Sequence, residues 1–226
     1  MITVRRFTFQ PIGECSYLVS APEGTAVIVD PGCTLSKEEQ ALTEALDSNG
    51  LNAAGILLTH AQPDHMFAAS SLQKKLGVPV YMSPADRQML PYCGPLARAF
   101  GLGEPATDFS VKAVSDGETL LFGDMALKVI ATPGHTPGSV CYLCAEDRIL
   151  FTGDTLFAGS IGRTDLPLGD YDKLIVSIMD KLMALDGDTR ILPGHGGPST
   201  IGEERCENPF LEPFNEKEEI WGSGSE

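Results

Sequence analysis

The sequence contains four histidines, His60, His65, His135 and His195. His60 closes the run ILLTH, His135 closes VIATPGH and His195 closes RILPGH, while His65 shares the loop of His60. Three of the four thus directly follow an apolar segment. Asp154 closes RILFTGD in the same manner, and Asp64 stands immediately before His65. Imidazole supplies affinity and carboxylate balances charge, which is what a Zn²⁺ or Fe²⁺ site needs. Each residue taken singly also has an ordinary reading. Pro-Gly turns carry surface histidines, an Asp after Gly is turn chemistry, and Asp64 before a helical segment is an N-cap candidate. Four histidines in strand-end loops exceed what turns account for, and metal binding is the leading reading.

The elements that must position these residues are legible as short apolar runs bounded by Gly, Pro and Asp. TAVIVDPG, AAGILLTH, VPVYM, TLLFGDMALKVIATPGH, SVCYL, RILFTGD and TRILPGH read as buried strands followed by loops. Helical patterns lie between them. The segment from Ser36 to Asn49 opens at Ser36, carries Glu39 as the partner of a capping box and stops at Gly50. MFAASSLQKKLG, after Asp64, repeats Phe67, Leu72 and Leu76 at helical spacing, and DYDKLIVSIMDKLMAL gathers Leu174, Ile178, Met179 and Leu182 on one side. The stretch from Pro84 to Asp108, richer in Pro, Gly and Met, is expected to cover one end of the fold. Strands and helices mixed along the whole chain predict one layered α/β domain, over residues 1–212, with 213–226 as a frayed tail. In such folds ligands gather where strand ends release their loops.

Composition removes several classes of function. The 226 residues are 42% hydrophobic, enough for a full core, so disorder and fibrous repeats are excluded. Sixteen Lys and Arg stand against 31 Asp and Glu, a formal charge of −15. Such a field repels phosphate backbones and anionic lipid, so neither nucleic acid nor membrane is an expected partner. No stretch reaches the roughly 18 apolar residues of a membrane span, and the start lacks the apolar run of a signal peptide. A cytoplasmic location is expected, with the six cysteines as reduced thiols. Cys141 and Cys144 form a CxxC, yet on a strand they face opposite sides, so they read as inert thiols and not as a metal or redox pair. There is no G-x-S-x-G elbow and no phosphate-binding G-x-x-x-x-G-K-[ST] loop.

Taken together, T-H-A-Q-P-D-H (Thr59 to His65), T-P-G-H-T-P-G (Thr132 to Gly138), F-T-G-D (Phe151 to Asp154) and P-G-H-G (Pro193 to Gly196) resemble the metallo-β-lactamase superfamily. G-S-I-G-R-T-D (Gly159 to Asp165) and E-N-P-F-L (Glu207 to Leu211) resemble its short glyoxalase II-like hydrolases. The resemblance covers nearly the whole chain. It implies an αββα four-layer sandwich with a metal site at one edge of two sheets. It further implies that His60 and His135 hold a first metal, that Asp64, His65 and His195 hold a second, and that Asp154 bridges them. Asp64 is implied to be catalytic as well. The implied function is a metal-dependent hydrolase of a small thioester or ester, resembling hydroxyacylglutathione hydrolase, that uses metal-bound hydroxide on one or two Zn²⁺ ions. Asp30, in V-D-P-G, is a candidate to hydrogen-bond a ligand, with a plain Asp-Pro-Gly turn as its alternative. Arg163 is a candidate to pair with a substrate carboxylate, against a structural ion pair. Larger glyoxalase II enzymes add a helical domain that grips glutathione, so glutathione recognition is not carried over.

One position departs from the pattern. The superfamily has H-x-H-x-D-H where this chain has Gln62. A Gln carbonyl oxygen is a weaker zinc ligand than imidazole. Gln62 leaves three arrangements open: two ions with the first easily lost, one zinc held by Asp64, His65, His195 and Asp154, or a His60–His135–Asp154 triad suited to Fe²⁺. The third resembles the persulfide dioxygenases of the superfamily, which is the runner-up function. A non-catalytic metal- or partner-binding module is the alternative from another class. Gln62→His is expected to raise the metal bound per chain.

Overall fold

The computed structural model describes residues 1–214, in which two six-stranded sheets lie face to face. The first sheet follows chain order: β1 (Thr3–Phe9), β2 (Glu14–Ser20), β3 (Thr25–Val29), β4 (Asn52–Leu57), β5 (Val80–Met82) and β6 (Val111–Ala113). Its first three strands are antiparallel and the rest run parallel to β3. Parallel neighbours need crossovers, and these are α1 (Ser36–Ser48), α2 (Pro63–Met66), α3 (Ala69–Leu76), and a 3₁₀ turn at Pro84–Met89 leading into α4 (Leu90–Ala99). The second half adds β7 (Thr119–Phe122), β8 (Met125–Ala131), β9 (Val140–Cys144) and β10 (Ile149–Gly153). A small hairpin follows, β11 (Leu156–Phe157) with β12 (Ser160–Ile161), and then α5 (Tyr171–Ser177), which continues as a π turn at Ile178–Leu182. β13 (Arg190–Pro193), β14 (Ser199–Thr200) and α6 (Ile201–Glu207) complete it, and the sheet order is β14-β13-β10-β9-β8-β7.

Three buried clusters fill the spaces between four layers, which makes the fold the expected αββα sandwich. Leu18, Ile28, Leu42, Ile56 and Leu72 pack between the first sheet and its helices. Tyr17, Val27, Leu57, Leu127, Val129 and Phe151 lie between the sheets. Leu150, Leu174, Ile178, Leu182 and Ile191 lie between the second sheet and α5. Consecutive residues such as Val27 and Ile28, or Leu150 and Phe151, fall in different clusters because side chains alternate across a strand. Strands covered on both faces are apolar throughout, hence the unbroken runs in the sequence. The same alternation separates Cys141, facing α5, from Cys144, facing the other sheet. Burial pushes the Cys141 thiol up to about 11, which keeps it protonated and inert. Among the described residues no helix is long and apolar enough to cross a membrane.

Some local expectations shift. α1 is capped by Glu38 and not by Glu39: its Oε2 accepts from the backbone N–H groups of Thr34 (3.0 Å) and Leu35 (3.1 Å). The helix expected after Asp64 is broken at Phe67–Ala68, because the Ala68 N–H donates to Pro31 O (3.0 Å). The run from Thr119 folds as the β7–β8 hairpin, turning at Gly123. Of the expected tail, residues 215–226 lie outside the described residues.

Candidate metal centre

Strand direction explains why residues distant in sequence meet. β8 and β10 are both antiparallel to β9, and β13 is parallel to β10, so all three end on one edge. There they release His135, Asp154 and His195. β3 and β4, parallel in the facing sheet, release Asp30 and the loop from Thr59 to His65. All six expected ligands come together at this edge, together with Asp30 and Gln62. The rings of His60 and His65 lie 4.1 Å apart, His60 and His135 4.8 Å, and His65 and His195 5.4 Å. Gly194 is required for the close approach of the His195 loop, since a Cβ there would collide with Asp154 Oδ1 and His65 Cε1.

Three of the four imidazoles are oriented from behind. Asp30 Oδ2 faces His65 Nδ1 at 3.1 Å, and the same carboxylate accepts from the Thr59 N–H (2.7 Å) and the Thr59 hydroxyl (2.6 Å). Because that hydroxyl's proton goes to Asp30, Thr59 Oγ1 is left to accept from His60 Nδ1, 3.0 Å away. Arg163 O accepts from His135 Nδ1 at 2.7 Å. With Nδ1 carrying the proton in these three rings, Nε2 presents its lone pair forward, the arrangement metal-binding histidines adopt. Asp30 reaches this role in a backbone conformation with φ of +47°, which ordinary side chains rarely adopt.

Forward of the rings, His65 Nε2 lies 3.6 Å from Asp64 Oδ2 and 3.3 Å from Asp154 Oδ1. His195 Nε2 lies 3.3 Å from Asp64 Oδ2 and 3.7 Å from Asp154 Oδ2, and His135 Nε2 is 3.7 Å from Asp154 Oδ2. Asp154 therefore faces three imidazoles at once. Burial places the His60 ring well below its usual pKa, reinforced by the neighbouring His65 and His135. Burial opposes the charged forms of His65 and Asp154 too, but attraction between the two prevails, holding His65 well above and Asp154 well below their usual values.

A metal fits this chemistry. Among the described residues, the buried side-chain polar atoms lacking any hydrogen-bond partner are His60 Nε2, Gln62 Nε2, Asp64 Oδ1, His65 Nε2, His135 Nε2 and Asp154 Oδ1, all of them in this site. Buried polar atoms are nearly always satisfied, and the five here that carry lone pairs, all but the Gln62 amide nitrogen, are what a cation relieves. Three groups have ligand atoms within 4.8 Å of one another. In Asp30–His60–His65 the carboxylate is engaged by Thr59 and His65 Nδ1, which leaves two forward ligand sets, His60–His135–Asp154 and Asp64–His65–His195.

A cavity of about 390 Å³ opens over the site, walled by Ile12, Phe100, Phe157, Ile161 and Leu166, with Arg163 beside them. Of the two readings of Arg163, a carboxylate clamp and a structural ion pair, the structure shows the ion pair. Its Nε and Nη2 both donate to Asp165, at 2.7 Å each, so its charge is already matched. Its backbone carbonyl, through His135, is what touches the centre.

Asp86 belongs to the site and has no motif to announce it. It is fully buried, and its carboxylate accepts from the N–H groups of Ala61 and Gly138 (2.6 Å each) and from the Thr136 hydroxyl (3.0 Å). It thereby ties the loop of His60 and Gln62 to the loop of His135. Its position in a Pro-rich segment carries no local signal; only the segment's expected place at one end of the fold hinted at it.

Comparison with known proteins agrees with the geometry. A family model described as the metallo-beta-lactamase superfamily matches residues 13–195. The chain belongs to that superfamily, and the fold and site together are those of a metallo-hydrolase. It is 38% identical over 203 residues to the hydroxyacylglutathione hydrolase GloC of Haemophilus influenzae, covering 87% of this chain and 92% of that one. Among solved structures it is similar to the B3 metallo-beta-lactamase BLEG-1 (TM-score 0.85, 35% identity, 92% of this chain and 99% of that one). It is likewise similar to TTHA1623 in a di-iron-bound form (TM-score 0.83, 39% identity, 92% and 100%).

Proposed function

We propose that this protein hydrolyses a small thioester or ester, in the manner of a hydroxyacylglutathione hydrolase. The observation that carries this reading is the ring of unpaired buried donors at the floor of an apolar cavity. Bound by His60, His135, Asp64, His65, His195 and Asp154, divalent metal would activate water near neutral pH and polarise a carbonyl. Zinc is the ion we assign, on the nitrogen and oxygen donors present. Asp64, with Oδ1 buried and unpaired, is the carboxylate placed to take a proton from the attacking water. Asp30, Thr59 and the Arg163 carbonyl hold the rings of His65, His60 and His135 in place. Ile12, Phe100, Phe157, Ile161 and Leu166 exclude water and receive the acyl group. GloC, 38% identical, lends its named activity to the reading.

The test is turnover of S-lactoylglutathione and of simple acyl thioesters by metal-loaded protein, with oxygen uptake followed in parallel. Thioester cleavage without oxygen consumption is expected. Oxygen consumption with glutathione persulfide, and no cleavage, would replace this reading by a sulfur dioxygenase.

A further inference from the structure

The two ligand sets are not equivalent. A tetrahedral ion with bonds of about 2.0–2.2 Å needs donor atoms about 3.3–3.6 Å apart. Around the second set, Asp64 Oδ2 lies 3.6 Å from His65 Nε2 and 3.3 Å from His195 Nε2, and Asp154 turns Oδ1 to His65 Nε2 at 3.3 Å and Oδ2 to His195 Nε2 at 3.7 Å. Four donors, two neutral and two anionic, match the charge of a dication. The first set has two imidazoles and the carboxylate of Asp154, which it must share, with His135 Nε2 3.7 Å from Asp154 Oδ2. Gln62 stands where a third imidazole would complete it. That side chain is 2% exposed, lines the cavity, and leaves its amide nitrogen without a partner. An amide nitrogen has no lone pair to give a metal, and its oxygen is a weak, uncharged ligand for zinc.

We infer that this chain holds one divalent cation tightly, at Asp64, His65, His195 and Asp154. A second is bound weakly and exchangeably at His60, His135 and Gln62, and the residue at position 62 sets its occupancy. This rests on the metal-binding part of the proposed function and not on the substrate, so failure of every thioester to react leaves it standing.

Chelator-stripped protein is titrated with Zn²⁺ by calorimetry, and zinc-loaded protein is dialysed against metal-free buffer and its zinc counted by mass spectrometry. The native chain is expected to keep one zinc and to show two binding steps separated by roughly a hundredfold or more in dissociation constant. Gln62→His is expected to keep two. His135→Ala is expected to keep one, as the native chain does, whereas His195→Ala loses it. Two ions of equal affinity in the native chain, no retained zinc, or a single zinc in folded Gln62→His would overturn the inference. So would loss of the retained ion in His135→Ala with retention in His195→Ala, which would place the tight site at His60, His135 and Asp154. Circular dichroism reports folding of each variant, and His135→Ala decides alone if Gln62→His does not fold.

Discussion

Asp86→Asn tests whether the centre is held from behind as described. The carboxylate offers Oδ2 to Ala61 and Thr136 and Oδ1 to Gly138, all without solvent. An amide has one oxygen. Placed at Oδ2, it keeps two partners and sets its NH₂ against the Gly138 N–H, from which it must withdraw. Placed at Oδ1, it sets that NH₂ against the Ala61 N–H. Either way one backbone donor is left buried and unpaired, which costs about 1–3 kcal/mol, and the surviving bonds weaken by about 1 kcal/mol each on losing the charge. Burial raises the pKa of Asp86, so relief of desolvation returns part of that cost. The net loss is about 2–4 kcal/mol, a fall in Tm of about 5–15 °C for a domain of this size. Because Ala61 lies between His60 and Gln62, and Thr136 follows His135, zinc at the first set should also weaken by about tenfold. Thermal unfolding of stripped protein and a zinc titration read the two effects. A variant within about 0.5 kcal/mol of the native chain, with unchanged zinc affinity, would refute the reasoning.

Two more outcomes are expected. Thr59→Val removes the hydroxyl between His60 Nδ1 and Asp30, and zinc at the first set is expected to weaken about tenfold or more by calorimetry while the retained ion stays. In stripped protein, His65 titrates above its ordinary value of 6.5. A raised folded pKa means that its stabilising contribution is complete below about 6.5 and is lost as pH rises through the folded value. Melting curves of stripped protein should therefore fall in Tm as pH rises above about 6.5, whereas zinc affinity should rise over the same interval as the proton leaves. A Tm that rises with pH in the stripped protein would contradict the His65–Asp154 pairing.

What could be read along the chain was whatever depends on neighbours in sequence. Apolar runs ending in Pro-Gly-His or Gly-Asp mark strands and the residues released at their ends, since burial of a strand on both faces demands unbroken apolar sequence. The CxxC resolved correctly on the same ground, because alternation along a strand is local. β1, β2, β6, β11, β12, β14, α4 and α6 carry no element in the sequence reading. β1 and β2 carry polar residues between their apolar ones, among them Glu14 and Ser16, which are buried and hydrogen-bonded to each other. Glu38 displaced Glu39 at the helix start because a cap depends on reach to particular N–H groups, which spacing determines only to within a residue.

The remaining decisions were made by contacts between segments far apart in sequence. Asp86 serves Ala61 and Gly138, 25 and 52 positions away, and nothing near it in sequence reveals that. Arg163 and Asp165 lie two positions apart, yet whether an exposed arginine turns to such a neighbour or to the cavity depends on the folded surface around it. The inequality of the two ligand sets has the same origin. Residue types establish that imidazoles and carboxylates are available. Gln62, visible in the sequence, removes an imidazole from one set, and the packing of two sheets and their loops decides which imidazoles and carboxylates face one another across the other.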